Sequence, residues 1–203
     1  MEKIFAVALS LMMSSLMLSA CNQLNPDDLV FDGKCDLDDD SIFFAVIDGV
    51  RYDLSTKYQD FLDAGYAAAP GTDMGRMVDA GYFGNIVMCK DGAPCFEISL
   101  ANRTNKPVHL YDCADLIGIR FGTGLEGDWR SNIKVVGDLG IGSTQADVIE
   151  IFGGDYLLKD EYNIEYRVRK RWSWGAYVPE YGSYRFQFQD GKASGIMWLG
   201  KMK

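Results

Sequence analysis

The chain has 203 residues, of which 48% are hydrophobic and 24% are charged, a composition typical of a globular protein. Its formal net charge at pH 7 is −9. Long-range repulsion therefore disfavours a general attraction to nucleic acid or to anionic lipid headgroups, and we expect no nucleic-acid partner.

The N-terminus is typical of an export signal. An uncharged apolar run from Ile4 to Leu18 spans about 22 Å as a helix, short of the roughly 30 Å hydrocarbon core of a membrane. It leads into Leu18-Ser19-Ala20-Cys21, which resembles the bacterial lipobox, whose cysteine carries diacylglycerol and becomes the new N-terminus. We predict a lipoprotein signal peptide over 1–20 and lipid on Cys21, on the extracytoplasmic side of the inner or outer membrane. The alternative is an ordinary secretory signal followed by a buried cysteine.

An acidic segment follows the predicted lipid site. It contains Asn25-Pro26-Asp27-Asp28 and Asp36-Leu37-Asp38-Asp39-Asp40 and shows no hydrophobic periodicity. We predict a tether over 21–41 that holds a domain away from the membrane. The aspartates lack the spacing, central glycine and terminal glutamate of an EF-hand loop, so the sequence favours a solvated linker over a calcium site.

Four further cysteines raise the question of disulfides, which an even number outside the cytoplasm favours. Cys89 and Cys95 flank a predicted hairpin turn and are candidates for one pair, which leaves Cys35 for Cys113. Reduced buried thiols and a metal site are the alternatives. We predict no metal site, because the chain has a single histidine and lacks the paired spacing of structural zinc ligands.

A faint internal repeat divides the rest of the chain. Its matching positions lie 88 residues apart: Gly49 and Gly137, Ser55-Thr56 and Ser143-Thr144, Gly65 and Gly153. Each copy predicts a turn, an N-capping Ser or Thr, a short helix and a glycine at the helix end. Capping boxes are predicted to begin at Thr56 and Thr144.

Alternating patterns typical of strands follow each predicted helix. Tyr184, Phe186 and Phe188 alternate with polar residues, which indicates a sheet packed on one face and wet on the other. The predicted strands cover 85–88, 96–100, 117–121 and a segment near 108 in the first copy, and 162–174, 184–189 and 192–199 in the second. The predicted fold class is therefore α+β. It has two small modules, over 42–128 and 129–203, each a short helix or helix pair packed on an antiparallel sheet of about three to four strands.

The second copy resembles a known superfamily. The segment Gly140-Ile-Gly-Ser-Thr-Gln-Ala-Asp-Val-Ile-Glu-Ile-Phe-Gly153, followed by Tyr184-Arg-Phe-Gln-Phe-Gln-Asp-Gly-Lys192 and Ile196, is similar to modules of the BamE/SmpA outer-membrane lipoproteins and of the β-lactamase inhibitor protein (BLIP-like modules). Residues 43–121 match more loosely, and Gly154 stands where proline often follows the helix-ending glycine in the family. The resemblance implies a fold and an anchored, binding type of role, with no particular partner.

A basic and aromatic stretch lies within the second copy. In strand geometry Arg167, Arg169 and Arg171 share one face, and arginines beside aromatic residues are typical of interface hot spots. We hypothesise a partner-binding surface formed by Arg167, Arg169, Arg171, Trp172, Trp174, Tyr177 and Tyr181. The alternative is that the aromatic residues build a small sheet core while the arginines are solvated.

The chain lacks the parts of common catalytic sites. It has one histidine, His109, and no Gly-x-Ser-x-Gly, His-Glu-x-x-His or P-loop motif, so we predict no enzyme, no catalytic residue and no cofactor. We expect a membrane-anchored lipoprotein of the bacterial cell envelope that acts as a non-catalytic protein-binding or assembly component. The alternative is an extracytoplasmic enzyme-inhibitor-like or carbohydrate-binding module.

Replacing Cys21 tests the predicted lipid anchor. We expect Cys21→Ser to move the protein from the membrane fraction to the soluble fraction, because each lost acyl methylene removes about 0.8 kcal/mol of membrane affinity. Fractionation of cells with immunoblotting measures this, with Asn22→Ser as the matched control that keeps the lipobox. Recovery of Cys21→Ser with the membranes contradicts the prediction.

Overall fold

The computed structural model describes residues 35–122, 132–167 and 182–201. Within these ranges the chain forms fourteen strands, two α-helices and three short 3-10 turns. In chain order the strands and α-helices are β1 (Phe44–Ile47), β2 (Val50–Asp53), α1 (Tyr58–Asp63), β3 (Ala67–Ala68), β4 (Met77–Val78), β5 (Phe83–Lys90), β6 (Ala93–Ala101), β7 (Val108–His109), β8 (Asp115–Gly122), β9 (Ile133–Val135), β10 (Leu139–Gly140), α2 (Gln145–Phe152), β11 (Leu158–Lys159), β12 (Asn163–Arg167), β13 (Ser183–Gln189) and β14 (Lys192–Leu199).

Most of these strands join one antiparallel sheet, which we call the large sheet. Over the described residues it has eight strands in the order β11-β12-β13-β14-β8-β6-β5-β3. The first half of the chain supplies β3, β5, β6 and β8, and the second half supplies β11 to β14. The last strands of the two halves, β8 and β14, pair with each other. Gly118 of β8 lies opposite Leu199 of β14, and Gly122 lies opposite Gly195. The strand order is therefore the same on both sides of this pair.

The prediction of two α+β modules, each with a helix on its own small sheet, is wrong. The described chain is richer in strands, its two α-helices are short, and the strands of both halves form one sheet. All described residues belong to one compact unit, Phe31–Lys203. In separate modules β8 and β14 would each expose an edge of unpaired N–H and C=O groups, and their pairing satisfies those groups. The alternating pattern of a strand reveals its buried face but not its neighbour.

Glycines shape the contact between the two halves. A Cβ atom at Gly118 would lie 2.8 Å from both the Cδ1 atom of Leu199 and the carbonyl oxygen of Trp198. A Cβ atom at Gly122 would collide with the carbonyl oxygen of Ser194, and the φ of Gly122 is +88°. Glycine tolerates that φ without strain and leaves room for the neighbouring backbone. Close approach of β14 to β8 thus depends on these two positions.

A smaller sheet has the same arrangement. Its order is β10-β9-β1-β2, and β1 pairs with β9 across the two halves of the chain. Asp48 and Gly49 connect β1 to β2 with positive φ at both residues, and Gly137 and Asp138 lie between β9 and β10, also with positive φ. Such turns match the twist of antiparallel strands. A third sheet of the described chain pairs only β4 with β7.

Both α-helices begin near the predicted capping boxes. At α2 the Thr144 hydroxyl accepts from the Asp147 N–H at 3.2 Å, and the Asp147 carboxylate accepts from the Thr144 N–H at 2.7 Å, which confirms the second box. At α1 the N-cap is Lys57, whose N–H donates to Asp60 at 2.7 Å. The box predicted at Thr56 is wrong by one residue, because the Thr56 hydroxyl accepts from the preceding turn.

An aromatic cluster holds the layers together. Tyr184 of β13 is fully buried, and its ring centroid lies 5.6 Å from that of Phe43 and 4.9 Å from that of Phe152. Its hydroxyl donates to the carbonyl of Ile42 at 2.6 Å. Phe152, the last residue of α2, also stacks on Tyr166 with centroids 4.9 Å apart. These contacts fix α2 and the segment before β1 on the same face of the large sheet.

The end of the predicted tether packs on the domain. Cys35 and Leu37 are buried. The Lys201 ammonium donates to the carbonyl of Asp38 at 2.6 Å and lies 3.2 Å from the carboxylate of the same residue. Residues 35–41 therefore belong to the folded part of the chain. The rest of the predicted tether, with Cys21 and the signal peptide, lies outside the described residues.

The four cysteines Cys35, Cys89, Cys95 and Cys113 are buried free thiols, and neither predicted pair is formed. A β-bulge places Pro94, not Cys95, opposite Cys89. Cys35 lies close enough to Tyr166 and Tyr184 to affect their pKa values, whereas the Cys113 thiol contacts the carbonyl of His109 at 3.7 Å. Burial raises the pKa of the Cys35, Cys89 and Cys113 thiols, which makes them poor nucleophiles.

A pair of glycine substitutions tests the contact between β8 and β14. We expect Gly122→Ala to lower the free energy of unfolding by more than the roughly 1–3 kcal/mol of a strained φ, because the new methyl group also meets the β14 backbone. Gly142→Ala is the matched control, since Gly142 has a φ of +94° and no atom within 4 Å of its added Cβ. Urea denaturation measures both. If both variants lose the same free energy of unfolding, β14 does not lie close enough to Gly122 to exclude a side chain there.

Candidate binding face of the large sheet

The two faces of the large sheet differ in chemistry. On β13, Tyr184, Phe186 and Phe188 are buried in the core, and Ser183, Arg185 and Gln187 alternate with them on the opposite side and are half-buried. Met197 of β14 and Arg120 of β8 lie beside Arg185 in the sheet, are also half-buried, and continue this second side. We call it the polar face. This confirms the predicted strand with one wet side.

A row of side chains crosses the centre of the polar face. In the strand register, Arg185 lies opposite Glu165 on one neighbouring strand and opposite Met197 on the other. Met197 in turn lies opposite Arg120, and Arg120 lies opposite Glu97. We call these five residues of β12, β13, β14, β8 and β6 the arginine row. Adjacent strands are about 4.8 Å apart, so the row is about 19 Å long. It is symmetric in chemistry, with an acid at each end, an arginine inside each acid and a methionine at the centre.

On the first-half side, Arg120 pairs with Glu97. The Arg120 Nη2 atom donates to the Glu97 carboxylate at 2.9 Å, and the side chains are 36% and 15% exposed. The Nε atom of Arg120 is buried and has no hydrogen-bond partner within residues 35–122, 132–167 and 182–201. One end of the guanidinium is therefore neutralised by Glu97 while a donor on the same group is unused.

On the second-half side, one carboxylate lies between two arginines. Glu165 is 3.9 Å from the Arg185 Nε atom and 3.7 Å from the Arg167 Nε atom. The Arg185 Nε atom is buried and has no hydrogen-bond partner among the described residues, although the side chain as a whole is 42% exposed. A distance of 3.9 Å gives electrostatic attraction but no hydrogen bond. Arg185 is therefore held more loosely than Arg120.

Uncharged residues flank Arg120 along the two central strands of the polar face. Met197 and Leu199 of β14 are half-buried there, and Gly118, Gly122 and Gly195 occupy the neighbouring positions of β8 and β14. Because glycine has no side chain, the arginines border a low, uncharged floor. The arrangement suits recognition of an anionic group that lies over the uncharged residues between the guanidinium groups.

Of the predicted partner-binding residues, only Arg167 is described. It ends β12, is exposed, and lies on the polar face, where it shares Glu165 with Arg185. The other six predicted residues, Arg169, Arg171, Trp172, Trp174, Tyr177 and Tyr181, lie outside the described residues. The hypothesis of a binding surface there stays a prediction.

His109 lies away from the polar face, in the small β4–β7 sheet. Its Nδ1 atom donates to the carbonyl of Gly75 at 2.5 Å, and its ring stacks on Tyr111 with centroids 5.0 Å apart. These contacts give His109 a structural role in the small sheet. Over the described residues, no three His, Cys, Asp or Glu side chains are placed to hold a metal ion.

Sequence reasoning did not identify Arg120, Met197 and Arg185 as one site. Alternation with Tyr184 and Phe186 does place Arg185 on a wet face, and Arg120 follows the same rule beside Ile119 and Phe121. The missing information is the β8–β14 pairing, which brings an arginine from each half of the chain to the same methionine.

Comparisons with protein-family models, with curated proteins and with solved structures found no match. The resemblance to BamE/SmpA-like or BLIP-like modules therefore stays a prediction. Among the helices of the described ranges, none is long and apolar enough to cross a membrane.

Removing each arginine tests whether the row serves stability. We expect Arg185→Gln to lower the free energy of unfolding by less than about 1 kcal/mol, because its ion pair is long and partly exposed. Arg120→Gln should cost more, about 1–3 kcal/mol, since Glu97 loses a charge-assisted hydrogen bond. Urea denaturation gives both values. A loss of several kcal/mol for Arg185→Gln contradicts this description and assigns Arg185 a structural role.

Proposed function

We propose that this chain is a membrane-anchored lipoprotein of the bacterial cell envelope that binds another protein through the polar face of its large sheet and catalyses no reaction. The anchor is proposed from the lipobox that ends at Cys21. The binding role is proposed from the arginine row, which is the single observation that carries it. The resemblance to BamE/SmpA modules favours an assembly role in the envelope.

The composition of the arginine row supports a protein-binding surface. Arginine and methionine are enriched in protein interfaces, and charged pairs at the border of an uncharged floor give an interface its orientation. The row crosses five strands, about 19 Å, and so is short enough to lie within a standard interface, which buries about 800 Å² on each partner. Residues on a paired sheet are held rigidly, so little ordering entropy is lost when a partner binds.

The chemistry of the row favours binding over catalysis. Arginine stays protonated at neutral pH and is a poor general acid or base. The two carboxylates, Glu97 and Glu165, are each engaged by arginine. The row therefore supplies fixed charges and hydrogen-bond donors, which are suited to recognition.

Co-purification from membranes tests the proposal. We expect the tagged full-length protein, solubilised in neutral detergent, to bring down specific envelope proteins. Gln187→Trp should lose them, because it places a bulky ring on the half-buried polar face, whereas Val50→Trp should keep them, because Val50 is exposed on β2 of the smaller sheet. Quantitative mass spectrometry compares the three samples. Recovery of no envelope protein contradicts the binding role, and equal recovery with Gln187→Trp contradicts the polar face as its site.

A further inference from the structure

We infer that the arginine row binds a carboxylate of an acidic protein segment, held between Arg120 and Arg185 above Met197. This inference rests on the proposed function, because it takes the occupant to be part of a protein. It adds the chemical class of the partner and the residues that recognise it.

The spacing of the two arginines fits one shared anion. Arg120 and Arg185 lie directly opposite Met197 on its two sides, so their Cα atoms are about 10 Å apart. Arg120 and Arg185 contact Glu97 and Glu165 on their outer sides, and both side chains are long enough to turn toward a group bound above the central strand. A carboxylate has two oxygens with about four acceptor sites and therefore takes hydrogen bonds from two guanidinium groups at once.

Each guanidinium has a donor for which the described residues offer no acceptor. The Nε atoms of Arg120 and Arg185 are buried, and neither has a hydrogen-bond partner in the described part of the chain. Buried donors in folded proteins are almost always paired, so two unpaired donors at equivalent positions of one row need an explanation. A carboxylate that draws both side chains toward Met197 gives these donors acceptors.

The two carboxylates of the row do not occupy this place. Glu97 and Glu165 lie on the outer sides of Arg120 and Arg185, on β6 and β12, and the position between the arginines is occupied by the neutral Met197. The position above Met197 has an arginine on each side, and the two glutamates lie one strand further out. The local potential there is therefore positive on a chain whose formal net charge is −9, which makes this position a local site for the carboxylate of an acidic segment.

Substitution of Met197 can place a carboxylate of the protein itself at the proposed binding position. Met197→Glu sets a carboxylate between Arg120 and Arg185, and opposite charges on directly paired residues stabilise a sheet. We expect the melting temperature of Met197→Glu to equal or exceed that of Met197→Gln, and that of Met197→Lys to be the lowest of the three. Differential scanning calorimetry measures them. A Met197→Glu protein that melts below Met197→Gln contradicts the inference, because the arginines then do not accept a carboxylate at this place.

Peptide binding tests the same site from outside. The probe is a fluorescent nonapeptide of alternating Glu and Thr, and its control is the same peptide with Gln for Glu. With the full-length protein in neutral detergent at low salt, we expect the Glu peptide to bind at least tenfold more tightly. Arg185→Gln and Met197→Glu should each weaken it at least tenfold, while Arg51→Gln, which removes an exposed arginine of β2, should not. Fluorescence anisotropy gives the affinities.

Three outcomes overturn the inference. The first is equal affinity for the two peptides, and the second is equal affinity of the Glu peptide for Arg185→Gln and Arg51→Gln. The third is stronger displacement of the peptide by inorganic phosphate than by acetate at the same ionic strength. The last assigns the row to phosphate groups, such as those of lipid headgroups. If the Glu peptide fails but envelope proteins still co-purify in a Gln187-dependent way, the carboxylate inference fails and the proposed function stands. If the peptide binds and no envelope protein is recovered, the proposed function fails.

Discussion

The pairing of β8 with β14 is the interaction on which the rest of the structure depends. Each half of the chain ends in one of these strands, and either strand alone would present an open row of backbone donors and acceptors. Gly118 and Gly122 let the two backbones approach, since a side chain at either position would meet β14. The pairing of β1 with β9 repeats the contact in the smaller sheet. The two halves are thus joined through backbone hydrogen bonds in both sheets.

This pairing also creates the candidate site. Arg120 comes from the first half and Arg185 from the second, and they become neighbours of the same residue only because β14 lies between them. The acids that neutralise them, Glu97 and Glu165, likewise come from different halves. A surface formed in this way exists only when the whole sheet is assembled, which links the proposed binding role to the fold.

Local features were predictable from the sequence. The alternation of Tyr184, Phe186 and Phe188 located β13 and its buried face, and the last strand was predicted with the bounds that the structure has, Lys192–Leu199. The Asp190-Gly191 turn between them has positive φ at both residues, as such hairpins require. The Thr144 capping box was also predictable, because it depends on residues three positions apart. These features share one property, which is that their causes lie within a few residues.

The long-range features were not predictable, for a physical reason. Strand periodicity determines which residues share a face and leaves the identity of the next strand open, so the same pattern fits two separate modules and one continuous sheet. The bulge that puts Pro94 opposite Cys89 shifts the register by one residue, which a hairpin pattern does not reveal. The arginine row depends on five strands in a given order, and no pattern in one sequence determines that order.

Amide hydrogen exchange of the full-length protein tests the central claim, that β8 and β14 are the central pair of one sheet. In such a sheet the amides of residues 117–121 and 195–198 exchange only by global unfolding and are the slowest in the chain, while those of the edge strands β3 and β11 exchange faster. Exchange of the β8 and β14 amides at the rate of the edge strands would contradict the account, because each half would then end in an open edge and the arginine row would not be assembled.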